Sequence, residues 1–166
     1  MRASGPCVAA AVVLSGAALT VPLRASATRT DVTLPCEPRV HHDVLPQWMR
    51  GGWPVGAKPR IPYALGEHGT IGAVLFGWPL NAPPAQHKNN KILWVPRHFS
   101  KSVAALWIRM QEMDGTQLLG APVRRIIPTG PGPSIVDAPS AGCWRLTLTW
   151  SGRRDTLDLP YVPPTG

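Results

Sequence analysis

The sequence predicts an all-β protein, a β-sandwich of about seven or eight short strands. Twenty prolines and sixteen glycines in 166 residues disfavour long helices, because both residues lower helix propensity and proline also removes a backbone donor. Apolar and polar residues alternate with a period of two in the C-terminal half, as they do in half-buried strands. Turn residues separate these runs at short intervals, which is typical of an antiparallel sandwich.

The C-terminal hairpin is the clearest predicted element, with two strands that flank the turn Ser151-Gly152. Alternate positions from Cys143 to Trp150 carry large apolar side chains, and residues 157–161 continue the apolar side after the turn. A strand with this regularity faces a core on one side and solvent on the other. Trp144 and Trp150 are therefore predicted core residues.

Further strands are predicted at residues 61–65, 70–78, 91–95, 103–113, 122–128 and 134–136. The segment 103–113 is ambiguous, because Ser102 could cap a helix rich in alanine and leucine. Its alternation and the tight-turn pair Asp114-Gly115 favour a strand. One helical turn is predicted at Leu45–Arg50, with Pro46 at its first position.

Residues 1–27 have the composition of a signal peptide. Arg2 precedes an apolar stretch from Val8 to Val21, and Ala25-Ser26-Ala27 presents small residues before a cleavage position. The apolar stretch is shorter than the roughly 20 residues that span a bilayer, so we expect no transmembrane span in the mature chain. An uncleaved N-terminal anchor is the alternative. The predicted organisation is a signal peptide at 1–27, an extended proline-rich segment at 28–59 and the sandwich domain at 60–166, in a secreted or cell-envelope protein.

Cysteine placement fits an oxidising compartment. Cys7 lies in the predicted leader, so its removal leaves Cys36 and Cys143 as a pair. Disulfides persist in exported proteins, and we expect these two residues to be bonded. Two free thiols, or a bridge between two chains, are the alternatives.

The charge balance favours an anionic partner. The net charge is +8 and the pI is about 10.3, but the basic residues are dispersed rather than clustered in one run. An anionic polymer of the envelope, a glycan or an envelope protein is the expected partner. Export makes nucleic acid an unexpected one, and no cofactor is expected.

Several blocks of the sequence resemble those of a group of uncharacterised bacterial exported proteins. They read Leu45-Pro-Gln-Trp-Met-Arg, Val74-Leu-Phe-Gly-Trp-Pro-Leu, Asn89-Asn-Lys-Ile-Leu-Trp-Val, Pro131-Gly-Pro-Ser-Ile and Gly142-Cys-Trp-Arg-Leu. The Gly-Cys-Trp strand and the strand after it also resemble the closing hairpin of immunoglobulin-like extracytoplasmic domains. The resemblance implies export and an immunoglobulin-like sandwich fold, and it carries no catalytic residues.

Catalytic motifs are absent from the sequence. It contains neither a Gly-x-Ser-x-Gly elbow nor a His-Glu-x-x-His pair. This favours a non-catalytic binding or structural module. The alternative is a metal-binding protein or metal-dependent enzyme that uses His41, His42 and His98, since imidazole suits copper or zinc. Exposed loop histidines would give the same sequence.

Aromatic and basic residues supply the candidate binding surface. Trp107 and Arg109 fall on the predicted outward face of one strand, and Trp94 and Arg97 lie on or beside the strand before it. Such pairs can bind sugars or charged polymers. His87-Lys88 at the tip of the polar loop 81–90 is a second candidate contact. A second core layer, a lid formed by the proline-rich segment, or a plain connecting loop are the alternatives.

Overall fold

The computed structural model describes Met1, Cys36 and residues 40–99 and 104–164. In chain order its strands are β1 (Val40–His41), β2 (Tyr63–Leu65), β3 (Ile71–Leu75), β4 (Leu80–Asn81), β5 (Lys91–Pro96), β6 (Leu106–Asp114), β7 (Gln117–Ile127), β8 (Pro133–Ile135), β9 (Gly142–Trp150) and β10 (Arg153–Val162). One 3-10 helix spans Gln47–Met49. No helix in this described part has the length and apolar character needed to cross a membrane.

The strands form two five-stranded sheets in a sandwich-like arrangement. The first sheet has the order β1-β2-β3-β5-β8, and the second has the order β4-β10-β9-β6-β7. The all-β prediction is confirmed, and each predicted strand has a counterpart. The strand number exceeds the predicted one because β1 and β4 contain two residues each and leave no periodic pattern in the sequence. The predicted signal peptide lies outside the described residues, apart from Met1.

The alternating segment after Ala105 is a strand, as predicted. β6 buries Leu106, Ile108 and Met110 and exposes the residues between them. Ser102 and Val103, at its predicted start, lie outside the described residues.

β7 begins at Gln117, earlier than the predicted start at Pro122. Pro122 is tolerated within β7 because this is the edge strand of the second sheet, where one side of the backbone makes no hydrogen bonds to a neighbouring strand.

The main core lies between the sheets and contains three tryptophans and a tyrosine. Trp144 and Trp150 are buried, as predicted, and Trp94 lies with them. The polar atoms of Trp94 and Tyr161 are hydrogen-bonded: the indole N–H of Trp94 donates to Ser134 Oγ at 2.9 Å. Tyr161 Oη donates to the carbonyl of Val136 at 2.8 Å. Because Tyr161 belongs to the second sheet and Val136 follows β8, this bond connects the two layers.

A second apolar cluster covers the outer face of the first sheet. Leu45 and Met49, from the segment around the 3-10 helix, pack on Tyr63, Val74 and Val95. The predicted helical turn is confirmed in position, as a 3-10 helix preceded by Pro46. The proline-rich segment therefore buries this sheet face, and its Val40–His41 pairs with β2 as an edge strand.

The predicted disulfide between Cys36 and Cys143 is present. Its Cα atoms are 5.5 Å apart and it closes a sequence separation of 107 residues. Both sulfurs are buried beside Met113. The bridge ties the proline-rich segment to the first residues of β9.

Candidate functional site

The outer face of the second sheet carries an open cleft of about 330 Å³. Four neighbouring strands supply its walls: Trp107, Ile108 and Arg109 from β6, Arg124 from β7, Thr147 and Thr149 from β9, and Arg154 from β10. We call this surface the arginine cleft.

Strand alternation places all of these side chains except that of Ile108, which belongs to the core, on one face. On β6 and β9 the apolar residues point into the core, so the residues between them point outward. The ladder aligns Trp107 with Thr149 and Arg109 with Thr147. Arg154 of β10 lies on the other side of Thr149. The indole of Trp107 thus has guanidinium groups on the strands around it, and Trp107 is 56% exposed, as its position in the alternation predicted.

Arg109 and Arg124 are cross-strand partners, directly opposite each other on β6 and β7. Like charges at such a position destabilise a sheet. Within residues 40–99 and 104–164, no salt bridge joins Arg109, Arg124 or Arg154 to a carboxylate. The described lining residues include no acidic side chain. The cleft is therefore positively charged and lacks an internal counter-charge among these residues.

Arg145, two residues before Thr147 on β9, is different. Its Nε and Nη2 each donate to the Asp158 carboxylate at 2.9 Å, and Nη2 also lies 3.4 Å from Glu67 Oε1. The hydrogen bond to Asp158 raises the pKa of the guanidinium above its ordinary value. Arg145 is thus a structural arginine, and the ion pairs mark where the positively charged cleft ends.

The predicted binding residues separate in the structure. Trp107 and Arg109 line the cleft. Trp94 does not belong to an open surface, since it is 1% exposed in the core between the sheets. The strand that carries it is covered on both faces, and one strand's pattern does not show which residues face which layer. Arg97 lies on the first sheet, with its guanidinium carbon 5.7 Å from the ring centre of Trp48.

His87 and Lys88 are exposed on the loop between β4 and β5, where the N–H of Lys88 donates to the carbonyl of Ala85 at 3.1 Å. Neither residue lines the arginine cleft. The polar loop is thus a separate surface and not an extension of the site on the second sheet.

The histidines of the metal hypothesis do not form a cluster. His41 stacks on Tyr63 with ring centres 4.8 Å apart, and His42 meets the edge of Trp78 at 5.6 Å. His98 follows β5, and two strands separate β5 from β1 in the sheet. Among the described residues, no group of three or more His, Cys, Asp and Glu side chains could hold a metal ion.

Sequence reasoning missed four outward-facing lining residues, Arg124, Thr147, Thr149 and Arg154, as well as the core residue Ile108. The alternation of β9 already placed both threonines on its outward face. The missing information was the order of the strands in the sheet, which brings β7 and β10 to either side of β6 and β9. Pairing the doublets Arg124-Arg125 and Arg153-Arg154 with these strands would have found the remaining cations.

The cleft offers an indole face, guanidinium groups and hydroxyls, which recognise ligands without transferring protons at neutral pH. Its described lining residues include no His, Cys, Asp or Glu to act as a general acid, base or nucleophile. The arrangement is thus suited to binding. No protein-family model, curated protein or solved structure matches the chain.

Proposed function

We propose that the protein is an exported, non-catalytic binding module of the cell envelope, and that its arginine cleft binds an acidic glycan. One observation carries the proposal: exposed Trp107 lies among Arg109, Arg124 and Arg154, which make no salt bridge within the described residues. A ligand with both a flat, weakly polar ring and negative charges would stack on the indole and pair with the guanidinium groups.

The chemistry of the lining residues matches that ligand class. Guanidinium groups bind carboxylate or sulfate through paired hydrogen bonds. An indole ring provides a flat apolar face with little conformational entropy to lose, and a sugar ring can stack on it. Thr147 and Thr149 place hydroxyls between these groups, where they can exchange hydrogen bonds with sugar hydroxyls. An anion bound between Arg109 and Arg124 would also relieve their mutual repulsion.

Export is the second part of the proposal. It is supported by the leader-like residues 1–27 and by the Cys36–Cys143 bridge, a bond that persists in oxidising compartments. The net charge of +8 also suits the anionic polymers of an envelope. Mass analysis of the protein recovered outside the cytoplasm tests this part. A chain that begins at Thr28 supports it, and full-length protein found in the cytoplasm contradicts it.

The binding experiment is a calorimetric titration with a polyuronate, such as polygalacturonate, and with a neutral dextran of similar length. We expect binding to the polyuronate and no measurable heat with dextran. Trp107→Ala and Arg109→Ser should each weaken polyuronate binding by about tenfold, the factor that corresponds to loss of one good contact. Raising the salt concentration to about 0.5 M should also weaken the binding of polyuronate to the unmodified protein, because the arginines of the cleft are solvent-exposed.

Arg153→Ser is the matched control, since Arg153 is exposed beside Arg154 but does not line the cleft. It removes the same charge from the molecule and should change affinity by less than about twofold, the effect of net charge alone. Equal losses in Arg109→Ser and Arg153→Ser would show diffuse electrostatic attraction and overturn the cleft as the site.

A further inference from the structure

A tight turn at Pro54–Ala57 presents an apolar residue to solvent. The N–H of Ala57 donates to the carbonyl of Pro54 at 3.0 Å, and Gly56 has a φ of 82°. A positive φ at the third residue is characteristic of a type II turn, and glycine adopts it without strain. Val55 therefore lies at the apex of the turn, where its side chain is fully exposed. An exposed valine at the apex does not stabilise the turn itself, so its position is better explained by contact with a binding partner.

Further apolar side chains lie next to this turn. Trp53 stacks on Phe76 with ring centres 6.4 Å apart, and Phe76 is 45% exposed just after β3. Ile135, 56% exposed, is the cross-strand partner of Lys91, whose Nζ lies 5.8 Å from the Phe76 ring centre. We call Trp53, Val55, Phe76 and Ile135 the apolar patch. Val55, Phe76 and Ile135 are exposed and Trp53 is half-buried. Exposed apolar groups that adjoin one another and are rimmed by polar residues mark interaction sites.

Basic residues outnumber acidic ones around the apolar patch, where the nearby carboxylates are engaged: Asp137 accepts a hydrogen bond from Asn90 and Asp43 accepts one from Tyr63. Lys58 and Arg60 follow the turn in the sequence, and Lys91 lies within the patch. Between Val44 and Gln111 the sequence contains a single acidic residue, Glu67. Glu67 lies against Arg145 and Thr156 of the second sheet and not beside the patch. A groove of about 420 Å³ runs beside Lys91, between Asn89 and the β8 strand.

We infer that the apolar patch and its basic rim dock on a bilayer surface that contains anionic lipid. Trp53, Val55 and Phe76 would insert between headgroups, where the free energy of binding grows with the apolar area buried. The rim cations would pair with lipid phosphates, to which juxtamembrane basic residues are attracted. The groove beside Lys91 leaves space for one headgroup. Charge complementarity favours this occupant, because a bilayer surface places anionic headgroups directly beside the apolar region that Val55 would enter.

This inference is independent of the arginine cleft. The patch residues belong to the first sheet and the segment that covers it, whereas the cleft lies on the outer face of the second sheet. The two surfaces share no residue. A variant can therefore remove one interaction and leave the other.

The test is co-sedimentation of the full chain, after any natural processing, with vesicles of phosphatidylcholine alone or mixed with phosphatidylglycerol. We expect binding only to the mixed vesicles. Val55→Asp should lower the partition coefficient by about tenfold, because it puts an anion at the inserted apex. Since Val55 is fully exposed, this substitution leaves the fold intact, and an unchanged near-ultraviolet circular dichroism spectrum checks that.

Phe76→Asp and Phe99→Asp form the matched pair. They are the two phenylalanines of the chain, and both are exposed, but Phe99 lies beyond the other end of β5. Phe76→Asp should lose vesicle binding and Phe99→Asp should keep it. Arg109→Ser should bind vesicles like the unmodified protein. Equal losses at Phe76 and Phe99, loss only in Arg109→Ser, or no binding to mixed vesicles at low salt would each overturn the inference.

Discussion

Asp155 shows how one buried carboxylate fixes the position of a turn. It accepts hydrogen bonds from the backbone N–H groups of His68, Thr70 and Thr156 at 3.0, 2.9 and 2.9 Å, and from Thr70 Oγ1 at 2.7 Å. A Cβ on Gly66 would collide with this carboxylate. The glycine therefore lets the β2–β3 turn reach the second sheet, and Asp155 holds it there.

Replacing Asp155 with asparagine should lower the free energy of unfolding by about 2–4 kcal/mol, since the amide leaves buried donors without an acceptor. Asp114→Asn is the control, because Asp114 is exposed at the end of β6, and it should change stability by less than about 0.5 kcal/mol. Urea unfolding at neutral pH measures both values. Similar values for the two variants would contradict this role for Asp155.

The same carboxylate predicts an acid-dependent loss of stability. Burial alone would raise the pKa of Asp155, but the hydrogen bonds from His68, Thr70 and Thr156 outweigh burial and hold it below its ordinary 3.8. Its stabilising contribution is complete above pH 3.8 and is lost as the pH falls through the lower folded-state value. Unfolding experiments between about pH 6 and 2 should show this decline. The Asp155→Asn variant should lose less stability than the unmodified protein over the same pH range.

Both tyrosines should resist ionisation while the protein is folded. Burial, with a hydrogen bond to Asp43 and its charge, raises the pKa of Tyr63 to about 12. Burial, with the charge of Asp137, also raises the pKa of Tyr161. These raised values stabilise the fold below pH 10, and that contribution is lost as the pH rises towards them.

An alkaline titration followed by phenolate absorbance measures this effect. In denaturant the two tyrosines should titrate near pH 10, their ordinary value. In the folded protein the rise in phenolate absorbance should occur at higher pH, and Tyr63→Phe should remove part of the amplitude of that rise. Coincident curves in the folded and denatured states would refute the prediction.

At the scale of elements, two glycines lie at close contacts that differ in kind: Gly77 lies against backbone atoms and Gly72 against a side chain. A Cβ on Gly77 would clash with the carbonyl oxygen of Asn89 and lie 3.0 Å from the backbone nitrogen of Lys91. A Cβ on Gly72 would meet Met49, with its Cε at 2.5 Å and its sulfur at 2.7 Å. Backbone cannot move aside without disturbing the sheet, whereas a methionine side chain can change rotamer.

We therefore expect Gly77→Ala to cost about 3 kcal/mol and Gly72→Ala about 1 kcal/mol of unfolding free energy. Gly51→Ala is the control, since nothing lies within 4 Å of its added Cβ. Denaturant midpoints at a constant m-value give the ranking. A larger cost at Gly72 than at Gly77 would show that the helical turn over the first sheet cannot repack.

The elements that the sequence predicted best were those with one face on the core. β6 and β9 showed their alternation clearly, which also gave the exposure of Trp107 and the burial of Trp144. Trp94 was misplaced because β5 lies between the core and a covering segment, and a strand buried on both faces loses its period. Its indole also has an internal partner, Ser134, which the sequence does not pair with it.

The candidate site was only half predictable for a different reason. Trp107 and Arg109 lie on one strand, so local alternation found them. Arg124 and Arg154 join them through the strand order β10-β9-β6-β7, in which β6 is far from β9 in the chain. Local pattern carries no information about such long-range pairing. The tryptophan and one arginine of the site were thus predictable, and the other two arginines were not.

For the whole molecule, the disulfide is the largest single covalent constraint in the described residues. In the chain-entropy account, closing a loop of about 100 residues contributes about 4.7 kcal/mol. The double variant Cys36→Ser with Cys143→Ser should therefore unfold with about 4 kcal/mol less free energy. Guanidinium denaturation of the oxidised protein and of the variant measures the difference. Equal midpoints would show that packing around Met113 alone holds the segment in place.

The bridge has a further consequence when a protease cuts the chain. Strands β1 to β8 lie between Cys36 and Cys143 in the chain, so these strands belong to one closed covalent ring. A single cut within the ring, for example in the exposed stretch Gln86–Asn89, opens it but releases no fragment. Nicked protein should migrate as one species without reductant and as two species with it. Damage to the backbone at that loop would leave both sheets attached to each other.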